Sequence, residues 1–207
     1  RNHAFGINAL TTNTTGSHNI GIGYKALRDN LSGGNNVAVG NYSLEDNTTA
    51  VNNTGLGYGA IQLNTAGSYN TGLGYFAINS NSNGNRNTAI GNEALKTNST
   101  GSNNVAIGDY CLRAANASHN VGIGQGCMQN NTSGNLNVAV GTSSLHNNSS
   151  GVRNTAIGHA AAMNNTTAND NTAIGYHAFQ VNTLGSGNVA VGNYSLDANT
   201  TADKNTA

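Results

Sequence analysis

Cys111 and Cys127 are the residues of this chain whose type and spacing best suit covalent chemistry. They are the only two cysteines among 207 residues, and they occupy the same position in adjacent copies of a sequence repeat. If neighbouring copies stack like adjacent strands, their Cα atoms would lie about 5 Å apart, within the range of a disulfide. The alternative is that each cysteine replaces Ala or Ser in a column of small residues. The sequence leaves both readings open.

The other residues that often carry chemistry are scattered. The six histidines fall at five different positions of the repeat and show no metal-ligand spacing. The eight acidic residues form no recurring acid and base pair, and neither GxSxG nor a phosphate-cradling glycine motif occurs. We therefore expect no catalytic residue, no metal site and no cofactor, and we predict that the chain is not an enzyme. The dispersed histidines are His3, His18, His119, His146, His159 and His177.

Aromatic residues cluster just after a recurring glycine. Stacked copies of the repeat would turn them into a partial stripe on the surface, which could be a receptor or glycan platform, or a lateral contact between fibres. The same stripe could instead only stabilise the stack. The stripe comprises Tyr24, Tyr42, Tyr58, Tyr75, Phe76, Tyr110, Tyr176 and Tyr194.

A 17-residue repeat positions all of these side chains. One glycine recurs at 17-residue intervals, except that the interval from Gly108 to Gly124 is shorter by one, and an asparagine precedes each glycine at a fixed distance. So short and strict a period predicts an all-β parallel β-solenoid, or β-roll, of about twelve 17-residue coils. The predicted structural ladders include Asn36, Asn53, Asn70, Asn87 and Asn104, and Gly40, Gly57, Gly74, Gly91 and Gly108.

The columns of the repeat, counted from this glycine as position 0, suggest the form of one coil. The asparagine is position −4. Position −3 is mostly Val or Thr, −1 is bulky and apolar, −2 is only Ala or Gly, +3 is small and +4 is mostly Leu, Ile, Phe or Met. The alternation from −4 to 0 predicts a short strand, and the segment from +2 to +5 predicts a second one. We expect positions −1 and +4 to fill the interior. The small side chains at −2 and 0 would then allow close approach of either the opposite wall of the coil or another chain, and we favour another chain.

The asparagine at position +7 often begins a glycosylation sequon, as at Asn13, Asn47, Asn98 and Asn165. Asparagine is also a common turn residue that hydrogen-bonds its own backbone, and this reading explains the same pattern without sugar. We favour the turn.

Composition excludes several classes of protein. Apolar residues make up 36% of the chain and charged residues 8%, with no net charge and no proline, whereas disordered chains are usually rich in charge and proline. No basic stripe is available for nucleic acid, and no apolar stretch approaches the roughly 20 residues that span a bilayer. Because the sequence begins and ends inside a repeat, we interpret residues 1–207 as a single continuous array from a longer one.

Specific motifs resemble a known family. The segment Asn36-Val37-Ala38-Val39-Gly40-Asn41-Tyr42-Ser43-Leu44 resembles the head repeats of YadA-like trimeric autotransporter adhesins, whose motif reads roughly NSVAIGxxSxAxG. The segments 87–95 and 171–179 look like the NTAIG repeats of bacteriophage tail fibres. The resemblance covers the whole chain and implies a parallel β-roll assembled as a homotrimer. The adhesin coil is shorter by about three residues, so its trimer packing does not transfer directly.

These observations favour a structural or adhesive segment of an extracellular fibre, on a cell surface or a virion. Its partners would be further copies of the chain, as a homotrimer or a filament, and a host-surface glycan or protein receptor. A self-assembling filament is the alternative, and an ice- or glycan-binding solenoid is a weaker one. Ice binding would need outward threonine ladders, and Thr54, Thr71 and Thr88 at position −3 are expected to point inward together with position −1.

Overall fold

The computed structural model describes all residues from Arg1 to Ala207. The chain is all-β, with twelve parallel strands and no helix, and it divides into two compact units, Arg1–Asn103 and Asn104–Ala207. Each unit is a parallel β-solenoid, so this part of the prediction is confirmed. The first unit contains β1 (His3–Phe5), β2 (Ile20–Ile22), β3 (Val37–Val39), β4 (Thr54–Leu56), β5 (Thr71–Leu73) and β6 (Thr88–Ile90). The second contains β7 (Val105–Ile107), β8 (Val121–Ile123), β9 (Val138–Val140), β10 (Thr155–Ile157), β11 (Thr172–Ile174) and β12 (Val189–Val191).

Within each unit, successive strands pair in parallel and in register. In β3 and β4, for example, Ala38 lies opposite Gly55 and Val39 opposite Leu56. Strand β7 pairs with β8 in the same register, with Val105 opposite Val121, although the coil between these strands is the shortened one. The missing residue is therefore absorbed in a turn, and the strand ladder is unaffected.

The predicted second strand, from +2 to +5, is wrong. Positions +1 to +6 form a turn in which +2 and +4 adopt left-handed backbone angles, as at Tyr42 (φ 61°) and Leu44 (φ 51°). A strand cannot contain such angles. The turn is still bonded from coil to coil, since the Leu27 N–H donates to the Ser43 carbonyl at 3.0 Å and the Leu44 N–H to the Ala60 carbonyl at 3.0 Å.

The core of each coil lies between position −2 of the strand and positions +3 and +4 of the turn. Ala38 and Leu44 are fully buried, whereas Ile22 and Leu56 at position −1 are each 42% exposed. The predictions that −1 fills the interior and that −2 faces another chain are therefore wrong. Position −2 is the buried face of the strand, and position −1 is the outward face. The interior is narrow: a Cβ added to Gly72 at position −2 would lie 2.7 Å from Ile61 Cγ1. Only Ala or Gly occurs there, and the bulky residues of the strand point outward.

The recurring glycine ends each strand, as predicted. Its backbone angle and the close approach of the next coil disfavour any other residue at this position. Gly57 has a φ of 131°, and a Cβ added there would lie 2.5 Å from the carbonyl oxygen of Gly74 in the next coil. Both the angle and the close approach require glycine.

We expect Gly57→Ala to lower the free energy of unfolding by more than about 1 kcal/mol, because alanine disfavours this φ and collides with Gly74. Thermal unfolding followed by circular dichroism would measure the change. Gly34→Ala is the matched control, since Gly34 has an ordinary φ and lies in a column that accepts Val51. Equal stability losses in the two variants would contradict this account of the glycine column.

Candidate functional site

The asparagines at position −4 form a buried ladder along each unit. The backbone N–H of Asn53 donates to Asn36 Oδ1 at 2.9 Å, and that of Asn70 donates to Asn53 Oδ1 at 2.8 Å. The Asn53 Nδ2 in turn donates to the Gly67 carbonyl at 2.9 Å, on the far side of its own coil. Each side chain thus joins two coils and braces one of them. The predicted asparagine ladder is confirmed.

A second ladder lies at position +7, where the sequence alone indicated only a turn. Asn47 Nδ2 donates to Asn30 Oδ1 at 2.8 Å and to the Ala50 carbonyl at 3.1 Å, and Asn47 has no exposed surface. The +7 asparagine does close a turn, as expected, but it does so from inside the coil. Its regular occurrence three residues before Gly or Ala was the sequence signal of this role.

One exception shows what the +7 amide is for. In the shortened coil this position is Ala115, and Asn104 Nδ2 donates to the Ala117 carbonyl at 2.7 Å, only two residues beyond Ala115. Elsewhere that carbonyl lies three residues beyond the +7 asparagine, which bridges the longer turn. A shorter turn has no gap to bridge, and the asparagine is dispensable there. Asn131 in the next coil accordingly keeps its bond to the Gly134 carbonyl at 2.8 Å.

We expect Asn53→Asp to destabilise the chain at pH 7 by at least about 2 kcal/mol, because it removes a buried donor and places a charge in the core. Asn52→Asp adds the same charge at the adjacent exposed position, which in the second unit is naturally an aspartate, Asp170. Urea unfolding of both variants gives the comparison. An unfolding midpoint for Asn53→Asp that matched the Asn52→Asp value would refute the buried ladder.

The outward side of the strands is an uncharged, largely apolar surface, here called the strand face. It consists of positions −3 and −1 of every strand, and it includes Leu73 at 39% and Ile123 at 39% exposure. Thr54, Thr71 and Thr88, which were expected to point inward, lie on this face in three neighbouring strands. Because position −3 faces outward, these threonines form the kind of outward ladder that ice binding would need.

The predicted aromatic stripe exists in the first unit. The ring centroids of Tyr24 and Tyr42 lie 5.3 Å apart, and those of Tyr42 and Tyr58 lie 5.4 Å apart. Tyr58 stacks on Tyr75 at 5.6 Å, and Phe76 contacts both of these rings. The stripe spans four coils, and its rings contact each other, so part of its role is to join neighbouring coils.

In the second unit the stripe is shared with histidine. Tyr176 contacts Tyr194 at 5.5 Å and His159 at 5.3 Å, and His177 also joins this group. Tyr110 lies outside it and instead contacts the Arg113 guanidinium at 5.9 Å. No group of three or more His, Cys, Asp or Glu residues is arranged to hold a metal ion.

Two cations and three carboxylates beside the aromatic stripe of the first unit are joined by ion pairs. Arg28 donates to Asp29 at 2.5 and 2.9 Å and to Asp46 at 3.2 Å, and it also bonds Glu45. The hydrogen bond from Arg28 lowers the pKa of Asp29, whereas burial raises the pKa of Asp46. Lys25 Nζ lies 3.6 Å from Glu45. These groups pair with one another and leave no open acid and base couple.

Both cysteines are buried free thiols in the small-residue column. A Cβ added at Gly122 would lie 2.6 Å from Cys111 Sγ and 3.0 Å from Cys127 Sγ, so the two sulfurs converge on the space beside this glycine. The pKa of the Cys111 thiol is raised, chiefly by its hydrogen bond with Cys127 and further by burial. The thiolate is the reactive form, so the raised pKa protects the Cys111 thiol in addition to its burial.

We expect neither thiol to react with a water-soluble disulfide reagent in the folded protein at pH 8, because both side chains are buried and inaccessible to it. In urea both should react, and the intact mass should correspond to two reduced cysteines. Rapid native reaction would contradict the burial of these side chains. A mass lower by two hydrogens would establish the disulfide instead.

Neither unit contains a pocket, and none of the secondary structure is a helix that could cross a membrane. Comparison with protein-family profiles, with characterised proteins and with solved structures gave no significant match. The resemblance to adhesin and tail-fibre repeats therefore rests on the sequence motifs alone. Among the surfaces of the molecule, the strand face is the strongest candidate for a functional site.

Proposed function

We propose that this chain is a non-enzymatic structural or adhesive segment of an extracellular fibre, on a cell surface or a virion. Copies of the chain would associate through their strand faces, as the homotrimer that the motif resemblance implies. The observation that carries the proposal is the strand face itself. A column of Ile, Val and Leu side chains lies on the outward side of nearly every strand, although the repeat could accommodate polar residues there.

The size of the strand face supports association with another protein surface. Six strands about 4.8 Å apart make a face roughly 24 Å long in each unit, with two outward side chains on each strand. Soluble monomers rarely expose contiguous apolar patches larger than a few hundred Å² unless the patch has a partner. All sixteen Lys, Arg, Asp and Glu residues avoid positions −3 and −1, so nothing on this face opposes contact between identical copies.

An ice-binding function is the second candidate, because the threonines at position −3 point outward. Thr54, Thr71 and Thr88 form a continuous ladder on the strand face. The neighbouring column at −1 varies in shape, from Val39 to Leu56, and Val replaces Thr at −3 in other strands. An irregular apolar surface suits burial against a protein better than a match to a crystal lattice. We therefore rank association first.

Light scattering of the purified chain tests the proposal. We expect a mass of three times the chain's 21.0 kDa, and we expect Leu56→Lys with Leu73→Lys to dissociate it, because burying two unpaired charges opposes association. The matched control is Ala66→Lys with Asn83→Lys, which adds the same charge to exposed positions on another side of the same two coils. The control should remain a trimer.

Other masses would redirect the assignment. A wild-type monomer would refute the association, and inhibition of ice recrystallisation by that monomer would favour the second candidate. Long polymers formed both by the wild type and by the variant with lysines at Leu56 and Leu73 would favour a filament assembled through another surface.

A further inference from the structure

Six glycosylation sequons have their asparagine sealed inside the coil. All six asparagines occupy position +7 and are fully buried, and a serine or threonine follows each of them two residues later. The remaining sequons have exposed or half-buried asparagines, as at Asn41 and Asn52. The sealed set is Asn30, Asn47, Asn98, Asn131, Asn148 and Asn165.

The amide hydrogens of the sealed set are engaged in the ladder. Asn30 Nδ2 donates to Asn13 Oδ1 at 2.7 Å and to the Gly33 carbonyl at 3.0 Å. Asn148 Nδ2 donates to Asn131 Oδ1 at 3.0 Å and to the Gly151 carbonyl at 3.0 Å. Glycosylation replaces one of the two hydrogens with the first carbon of a sugar. It would break a rung of the ladder and place a sugar where no space exists.

The rest of each sequon lies outside the coil. The serine or threonine at position +9 is exposed in all six cases. In an unfolded chain the complete recognition motif is therefore accessible. In the folded chain the asparagine is buried, and only the serine or threonine remains accessible. The asparagines of the sealed set can therefore be glycosylated before folding but not after it.

We infer that this chain folds before it meets an enzyme that glycosylates Asn-X-Ser/Thr motifs, or in a compartment without one. In that reaction Nδ2 attacks C1 of a diphosphate-activated sugar, the C1–O bond breaks, the diphosphate carrier leaves and one amide proton passes to a base. A single such event at Asn47 would prevent the coil from stacking. The inference rests on the buried ladder alone and does not depend on the proposed fibre function. An extracellular location would then require export by a route free of this enzyme, or export after folding.

Secretion of the full chain through the yeast endoplasmic reticulum, behind a signal sequence, tests the inference. The key variant carries alanine at position +9 of the six sealed sequons, where Ala66 occurs naturally. We expect it to be secreted in folded form at least ten times more abundantly than the wild type. Retained wild-type chains should carry sugar at the sealed asparagines by peptide mass spectrometry. The six substitutions are Ser32→Ala, Thr49→Ala, Thr100→Ala, Ser133→Ala, Ser150→Ala and Thr167→Ala.

The matched control exchanges serine and threonine at the same six positions, which preserves every sequon and should behave like the wild type. Equal secretion of folded wild type and alanine variant, with sugar on the sealed asparagines, would overturn the inference. Equal secretion with those asparagines unmodified would support its first alternative, that folding precedes contact with the enzyme. Retention of the alanine variant to the same extent as the wild type would also overturn it, because that variant lacks the sealed sequons.

Discussion

The structure depends on one repeated interaction, the hydrogen bond from the backbone N–H of each position −4 asparagine to the side-chain oxygen of the asparagine one coil earlier. It operates inside a coil of fixed width, because the Nδ2 of the same residue spans that coil to reach a carbonyl on the opposite wall, as Asn36 does to Ala50 at 2.9 Å. A buried amide is costly unless its donors and acceptor are all used. The coil circumference, the identity of the asparagine and the in-register stacking therefore constrain one another.

That fixed width explains why the apolar residues point outward. With two amide ladders and the +4 side chain already inside, only Ala or Gly at position −2 can approach the opposite wall, as Ala38 does. The fold thus takes much of its internal cohesion from hydrogen bonds and from small and +4 side chains. Its β-branched strand residues are left on the outward side of the coil. A globular domain of the same composition would use them as its core.

Much of the frame could be predicted from sequence, and the reasons for the failures are physical. The period, the glycine at Gly57 and the ladder through Asn53 followed from residues that tolerate no substitute. Which face of the strand is buried could not be predicted in the same way. Alternation with a period of two is the same whichever face is buried, and both faces here are free of charge. The small size of the side chains at position −2 was the decisive signal. The prediction of a second strand failed because Leu44 adopts a left-handed backbone angle, which is not expected from its residue type.

The uniform distance between bonded residues has a kinetic consequence. Nearly every contact between coils joins positions about one repeat apart in the sequence, such as Asn19 with Asn36, so closing each new coil costs the same small loop entropy however long the array becomes. Once a few coils have formed, each further coil adds to a ready template, as in a one-dimensional lattice with nearest-neighbour coupling. Lengthening such a chain by whole repeats would extend it with little penalty in folding speed, because the local character of the contacts is preserved.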